Sequence, residues 1–220
     1  MKSLVIRNLK LRQTTIIIYL ILALLSPLQF LIRYKLVYSI SELIFPFLVV
    51  IFYFLSIKGS AHIFRVHHKL GEQAYWFFGS LPLSKKQMLN ANYITMLIFT
   101  LGGAIVLGLY SIPLSVMNGM NWTYAIPLVY VAVNFFTIPC VFRRYTEVKQ
   151  ERITYLFHIL AMCLLLPLAI TMIYLGIRVF ILGHLDNYIN VFNPWFNSGY
   201  LLVSAVMLII NYFIQLKKVS

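Results

Sequence analysis

The chain has 220 residues, of which 61% are hydrophobic and 10% are charged, whereas soluble proteins average about 25% charged residues. A mean hydropathy of +0.87 and an aromatic content of 16% exclude a soluble enzyme and an intrinsically disordered chain. The composition therefore predicts an integral membrane protein.

The charge is strongly basic, with 18 Lys and Arg against 5 Asp and Glu, a formal net charge of +13. In a soluble protein this excess would suggest a nucleic-acid partner. Membrane proteins concentrate Lys and Arg in their cytoplasmic loops, however, so we expect no nucleic acid here. Cys140 and Cys163 lie within apolar segments and are predicted to be inert packing residues.

Six apolar segments follow a basic N-terminal stretch, and each was compared with the roughly 20 residues that span a bilayer. They cover Thr14–Ile32, Leu43–Ile57, Tyr93–Pro113, Tyr124–Phe142, Ile153–Leu175 and Gly199–Leu216. Backbone groups in lipid must be hydrogen-bonded internally, and these segments lack the alternation of barrel strands. The sequence predicts an all-α membrane protein with six transmembrane helices in a single domain, residues 1–220.

The first two segments have individual features. Thr14–Ile32 is too long for the hydrophobic region of a signal peptide and has no small-residue cleavage site before Arg33, so we expect it to remain in the mature protein. Leu43–Ile57 is short and carries Pro46, and it is predicted to use Tyr38–Ser41 to complete its span.

The distribution of basic residues predicts the orientation. With the N-terminus inside the cell, only Arg33, Lys35 and Arg178 of the 18 Lys and Arg residues fall in outer loops. The loop Leu114–Thr123 carries no charge, as an external connector can. The positive-inside rule therefore predicts a multi-pass protein of the bacterial cell membrane with both termini in the cytoplasm.

The sequence lacks the common motifs for nucleotide binding, zinc-dependent proteolysis and serine hydrolysis. A phosphate-binding loop needs a Gly-Lys pair, and the chain contains none; His-Glu-x-x-His and Gly-x-Ser-x-Gly are also absent. We expect neither a catalytic site nor a cofactor, so any ATP would be bound by another subunit. His62, His67, His68 and Glu72 could share a metal ion, but a solvated helix face is the favoured interpretation.

The predicted membrane interior contains few polar groups. A carrier driven by protons or sodium ions would need titratable groups near the midplane, which disfavours a secondary transporter. His158, Asn134 and Asn211 are interpreted as contacts between helices. Two further groups of residues are compatible with close helix approach or with kinks. They are the glycines Gly102, Gly103 and Gly108 and the prolines Pro127, Pro139 and Pro167.

The cytoplasmic loop Lys58–Asn92 is more elaborate than a connector requires. Ile63–Phe78 is predicted to form an aromatic-rich helix. Pro82 interrupts helical structure, and Ser84 is predicted to cap a new helix that starts at Lys85 and continues into the third span.

This loop resembles the corresponding loop of ABC-2 type ABC exporter permeases. The similarity is carried by Glu72, by the stretch Leu81–Leu89 (LPLSKKQML) and by Asn92–Tyr93. Family members often have Lys where this chain has Asn92, so the match is incomplete at that position. The six-span layout with both termini inside is also similar to the family.

The resemblance implies a half-transporter that pairs with a second permease, identical or different, and sits on two cytoplasmic ABC ATPase subunits. A coupling helix between the second and third spans would contact the ATPase. The implied coupling residues are Glu72, Gln73, Trp76, Leu81, Pro82, Leu83, Ser84 and Lys85.

The resemblance also implies elements outside the coupling loop. Met1–Gln13, with Arg7, Lys10 and Arg12, would be an elbow helix on the membrane surface, although Asn8 and Arg12 interrupt its apolar side. Short extracellular re-entrant helices would lie within Arg178–Ser198, in the apolar segments Val179–Leu182 and Val191–Phe196.

The expected function is therefore ATP-driven export of an amphipathic peptide or a similar hydrophobic substrate. In size and in its Ile-, Tyr-, Lys- and Asn-rich composition the chain is similar to permeases of the staphylococcal phenol-soluble modulin exporter. The alternative is a non-transporting polytopic membrane protein, such as an assembly or immunity factor. An intramembrane enzyme is disfavoured because no pair of catalytic residues is recognisable at membrane depth.

Overall fold

The computed structural model describes residues 1–29, 40–61, 83–110, 114–116, 120–122, 127–142, 153–183 and 189–219. Over these ranges the chain forms seven helices and one small β-hairpin. The helices are α1 (Lys2–Lys10), α2 (Gln13–Leu25), α3 (Ile40–Ser60), α4 (Lys85–Gly108), α5 (Pro127–Cys140), α6 (155–182) and α7 (Ile189–Val219). The helices confirm the predicted helical membrane protein.

Each of the six predicted apolar segments overlaps a different helix from α2 to α7. By length and composition, three helical stretches among the described residues can cross a membrane, namely Lys85–Gly108, Tyr155–Ile181 and Phe196–Lys218. The pair α1 and α2, bent by 67°, makes a fourth if it is counted as one span. Phe47–Ser60 and Pro127–Cys140 are shorter apolar helices. By this measure the described helices give three or four spans, fewer than the six that the sequence predicts.

Helix α4 lies at the centre of the bundle. It packs against α1, α2, α3, α5 and α7, and half of its most apolar stretch is buried inside the protein. Among the described helices, α5 and α7 form the most extensive pair. α5 carries an uninterrupted buried stretch, 129–134, so it is enclosed all around, as expected of a helix inside a bundle.

Helix α6 lies at the periphery, with only 12% of its most apolar stretch buried inside the protein. It contains two π-helical turns, Ala161–Leu165 and Arg178–Leu182. Pro167 lies two residues after the end of the first of these turns. A proline has no N–H to donate and its ring crowds the preceding turn, so the wider π turn accommodates it.

The predicted re-entrant helices are not found in the described part of the segment. Val179–Leu182 continues α6, which ends where Gly183 adopts a left-handed conformation (φ 65°), and Val191–Phe196 belongs to α7. Apolar residues can extend a spanning helix as readily as they form a separate one, and a left-handed glycine is a common helix terminus. The composition alone could not distinguish these cases.

A β-hairpin lies within the uncharged loop that was predicted to be an external connector. Strands β1 (Leu114–Val116) and β2 (Met120–Trp122) pair antiparallel, with Ser115 opposite Asn121. The prediction of an all-α protein therefore holds for the apolar segments but missed this pairing. The sequence signal was Asn118-Gly119 between two short apolar runs, a dipeptide typical of hairpin turns.

Candidate functional site

Helix α4 begins where the sequence predicted, at the end of the proposed coupling segment. Its first residue is Lys85, and Ser84 is the N-cap. The Gln87 backbone N–H donates a hydrogen bond to Ser84 Oγ over 3.2 Å. This bond satisfies one of the N–H groups that have no partner within the first helical turn. The cap fixes the point at which the cytoplasmic loop enters the central helix.

Replacing Ser84 with alanine is expected to lower the midpoint of thermal unfolding by roughly 2–4 °C, because loss of an N-cap costs about 1 kcal/mol. Ser84→Asn, which keeps a capping oxygen, is the matched control and should unfold near the wild-type temperature. Thermal unfolding of the purified protein in detergent measures the difference. Equal losses in both variants would contradict a capping role.

Of the other predicted coupling residues, two lie within the described part of the chain. Leu83 is half-buried and Lys85 is exposed next to the cap. Five of the predicted residues lie outside the described residues, and their contacts are therefore untested. They are Glu72, Gln73, Trp76, Leu81 and Pro82.

The predicted elbow segment forms a separate helix, α1, which is bent by 67° relative to α2. Arg7 and Lys10 lie in its last turn. Asn8 and Arg12, which appeared to interrupt its apolar side, are buried, with 0% and 4% of their surfaces exposed. Asn8 therefore lies on the side of α1 that packs against α4, and Arg12 is buried at the bend, where it is the N-cap of α2.

Asn8 joins α1 to α4 through a buried hydrogen-bond network. Its Nδ2 donates to Asn92 Oδ1 over 3.1 Å and to Thr95 Oγ1 over 3.3 Å. Thr95 can accept because its own hydroxyl donates to the Ala91 carbonyl over 2.7 Å. Arg7 Nη2 donates to Asn8 Oδ1 over 3.2 Å. Asn92, the position at which the family often has Lys, thus provides a neutral partner for α1.

A second network on the same part of α4 reaches α7 and the end of α5. Tyr93 Oη donates to Gln215 Oε1 over 3.2 Å and accepts from Asn211 Nδ2 over 3.4 Å. Gln215 Nε2 donates to the Phe142 carbonyl over 3.5 Å. We call the two networks together the polar belt, formed by Asn8, Asn92, Tyr93, Thr95, Asn211 and Gln215. The predicted role of Asn211 as an interhelical contact is confirmed.

Burial alters the electrostatics where α1 meets α2. Desolvation lowers the pKa of Arg7 and lowers the pKa of Arg12 to about 10, and an electrostatic interaction with Tyr155 offsets part of the effect on Arg12. Since about 10 is well above neutral pH, Arg12 stays protonated. The bend between the two helices therefore holds a buried positive charge.

A further polar cluster lies deeper in the bundle, around Gly103 of α4. Tyr19 Oη donates to the Phe99 carbonyl over 2.8 Å and lies 2.7 Å from Tyr130 Oη. A Cβ on Gly103 would collide with both hydroxyl groups. Gly103 thus creates the space in which α2 and α5 meet α4.

Asn134 and His158 hold neighbouring helices together, as predicted. Ser60 Oγ of α3 donates to Asn134 Oδ1, and Asn134 Nδ2 donates to the Tyr130 carbonyl over 3.0 Å. His158 Nε2 lies 3.3 Å from Thr137 Oγ1, and its ring stacks on Tyr155. These contacts satisfy polar groups inside the bundle and use the side chains for packing.

A family model described as ABC-2 family transporter protein matches residues 3–220. The chain belongs to the ABC-2 transporter family. No curated protein and no solved structure matches it. The match supports the resemblance drawn from the cytoplasmic loop and identifies a non-enzymatic membrane subunit of an ABC transporter. It gives no support to the narrower resemblance to phenol-soluble modulin exporters.

The glycines of α4 and the candidate metal ligands of this ABC-2 permease differ in what the structure describes of them. Of the three glycines in α4 that were compatible with close helix approach, Gly103 alone has described atoms within 4 Å of an added Cβ. Sequence spacing could not reveal which glycine faces a neighbouring helix. In the described ranges no cluster of three potential metal ligands occurs, and His62, His67, His68 and Glu72 lie outside those ranges.

Proposed function

We propose that this ABC-2 permease is the membrane subunit of an ATP-driven exporter and forms the translocation path together with a second permease. ATP hydrolysis would take place in separate cytoplasmic ABC ATPase subunits. The family assignment supports ATPase partners and a dimeric permease. The direction of transport, the identity of the partners and the single-domain organisation over residues 1–220 are parts of the proposal.

The observation that carries the proposal is the position of α4. This central helix starts at the Ser84 cap, directly after the proposed coupling residues, and contacts five other helices. The polar belt ties the first turns of α4 to α1 and α7. A displacement of the coupling segment would therefore move α4, and α4 would carry α1 and α7 with it.

The proposed substrate is an amphipathic peptide or a similarly hydrophobic molecule. In the three long spans that the structure describes, every charged residue lies near a helix end. These residues are Lys85, Lys86, Arg178, Lys217 and Lys218. A path with uncharged walls favours a substrate that is largely apolar, because a charged substrate would lose its hydration without compensation.

The proposed orientation places both termini in the cytoplasm of a bacterial cell, with α1 lying along the membrane surface as an elbow helix. The support is the asymmetry of basic residues and the sharp bend between α1 and α2. In this orientation the Ser84 end of α4 faces the ATPase.

Affinity purification in mild detergent from native cells tests the proposal. We expect a soluble ATPase with a Gly-Lys-Ser/Thr loop and a second permease to co-purify. The double variant Glu72→Ala/Pro82→Ala should lose the ATPase or uncouple its hydrolysis from export, because it alters the segment proposed to contact the ATPase. Glu147→Ala, in another predicted cytoplasmic loop, is the control for loss of one acidic residue.

Two outcomes would contradict the proposal. If the double variant retains ATPase binding and export, the coupling assignment is wrong. If the wild-type chain purifies alone under conditions that preserve other ABC complexes, the alternative of a non-transporting membrane protein is favoured.

A further inference from the structure

A groove lies between α3 and the beginning of α6, outside the polar belt. Its volume is about 480 Å³, within the roughly 300–1,000 Å³ that is typical of small-molecule sites. Apolar and aromatic side chains form its walls, with a single cation among them. The lining residues are Ile51, Phe54, Leu55, Lys58, Tyr155, Leu156, Ile159 and Leu160.

The walls of the groove include side chains that are exposed on the outside of the bundle. Leu156 is 75% exposed, and Phe54, Leu55 and Leu160 are also exposed. At one end, Tyr155 Oη donates to the Ile57 carbonyl over 2.8 Å, which satisfies a backbone group of the last turn of α3. The remaining surface is suited to a flexible hydrocarbon chain, because it makes no demand for polar partners.

The end of the groove at Lys58 is electrostatically positive. Lys58 is exposed in the last turn of α3, and no hydrogen bond or ion pair connects it to another residue within the described ranges. Gly59 packs against Thr15, which brings this end of α3 close to the start of α2. Lys58 therefore places one exposed cation at this end of an apolar groove.

We propose that this groove binds an anionic phospholipid, with an acyl chain between α3 and α6 and the phosphate at Lys58. The charge complementarity selects an anionic over a zwitterionic headgroup, since basic pockets between transmembrane helices bind anionic lipid heads. The proposal requires a membrane protein but does not depend on ATPase coupling or on the direction of transport.

Native mass spectrometry of the purified full-length chain tests the lipid selectivity. After delipidation in detergent, phosphatidylglycerol and phosphatidylcholine with identical acyl chains are titrated separately. We expect phosphatidylglycerol to bind more tightly, and Lys58→Gln to weaken its binding roughly fivefold while leaving phosphatidylcholine unchanged, as for loss of about one lysine's attraction at a membrane surface. Lys86→Gln, which removes an exposed lysine from the start of α4, is the control and should have little effect.

A second pair of variants tests the apolar part of the site. Leu160→Trp should fill the groove and reduce binding of both lipids. Ile209→Trp places the same side chain on an exposed position of α7 that does not line the groove, so it should leave binding intact. Size-exclusion chromatography verifies that each variant is folded and monodisperse.

Three results would overturn the proposal. The first is equal binding of both lipids by the wild-type chain, and the second is an equal loss of phosphatidylglycerol binding in Lys58→Gln and Lys86→Gln. The third is a loss of dimer in Leu160→Trp with lipid binding unchanged, which would make the groove an interface between two copies.

Discussion

Replacement of Gly103 with alanine is expected to destabilise the bundle by roughly 2–3 kcal/mol and to lower the midpoint of thermal unfolding by roughly 5–10 °C. The added Cβ would lie 2.7 Å from Tyr19 Oη and would also collide with Tyr130 Oη. These hydroxyl groups lie 2.7 Å apart, and Tyr19 also donates to the Phe99 carbonyl. Neither tyrosine can move away without leaving a buried polar group unsatisfied.

The neighbouring Gly102 supplies a matched control for this prediction. It lies on the same helix, and an added Cβ would have no atom within 4 Å. Gly102→Ala should therefore keep the wild-type stability or gain a few tenths of a kcal/mol, since alanine favours the helix over glycine. Thermal unfolding in detergent, followed by tyrosine or tryptophan fluorescence, compares the two. If Gly103→Ala is as stable as Gly102→Ala, the two tyrosine hydroxyl groups do not pack closely against Gly103.

Removing one partner of the Asn8–Asn92 pair is the second large expected effect. Asn8→Leu or Asn92→Leu should each cost roughly 1–3 kcal/mol, because each leaves a buried amide without its partner. The double variant should cost clearly less than the sum of the two, since it removes both buried amides together. Unfolding free energies of the four proteins in a double-mutant cycle measure the coupling.

A second pair of variants distinguishes a direct contact between two side chains from a general loss of stability. Asn134 bonds to Ser60 and to the Tyr130 carbonyl, so it shares no partner with Asn8. The effects of Asn8→Leu and Asn134→Leu should therefore add. If the Asn8–Asn92 pair is additive as well, the two amides do not interact, and the connection between α1 and α4 must have another origin.

Local signals in the sequence were sufficient for much of the fold. Long apolar segments predict helices in lipid without knowledge of their neighbours, because the solvent itself imposes helical hydrogen bonding. The Ser84 cap was predictable from local chemistry as well, because a proline at position 82 disfavours a continuous helix and a serine oxygen can satisfy a backbone N–H three residues later. Asn134 and Asn211 were correctly interpreted because an amide inside a membrane bundle needs a partner.

Long-range partners were not predictable from local patterns. Asn8 and Arg12 appeared to weaken the amphipathic pattern of the N-terminal segment, whereas both are buried, Asn8 against α4 and Arg12 at the bend between α1 and α2. Asn92 seemed merely a departure from the family pattern, and its contact with Asn8 joins residues separated by 84 positions. Of three similar glycines, only Gly103 faces the tyrosine hydroxyl groups. Each of these outcomes depends on which helix lies opposite, and a single sequence does not contain that information.

The peripheral position of α6 has a mechanical consequence. Most of its apolar surface has no partner among the described residues, and lipid tails are as apolar as leucine, so tilting this helix exchanges one hydrocarbon contact for another. Its backbone hydrogen bonds lie within the helix and are retained during such a movement. The start of α6 is held to α3 by Tyr155 and to α5 by His158, so these contacts resist a tilt. We therefore expect a small free-energy cost of tilting only for the exposed remainder of α6, whereas α4, α5 and α7 are packed against one another.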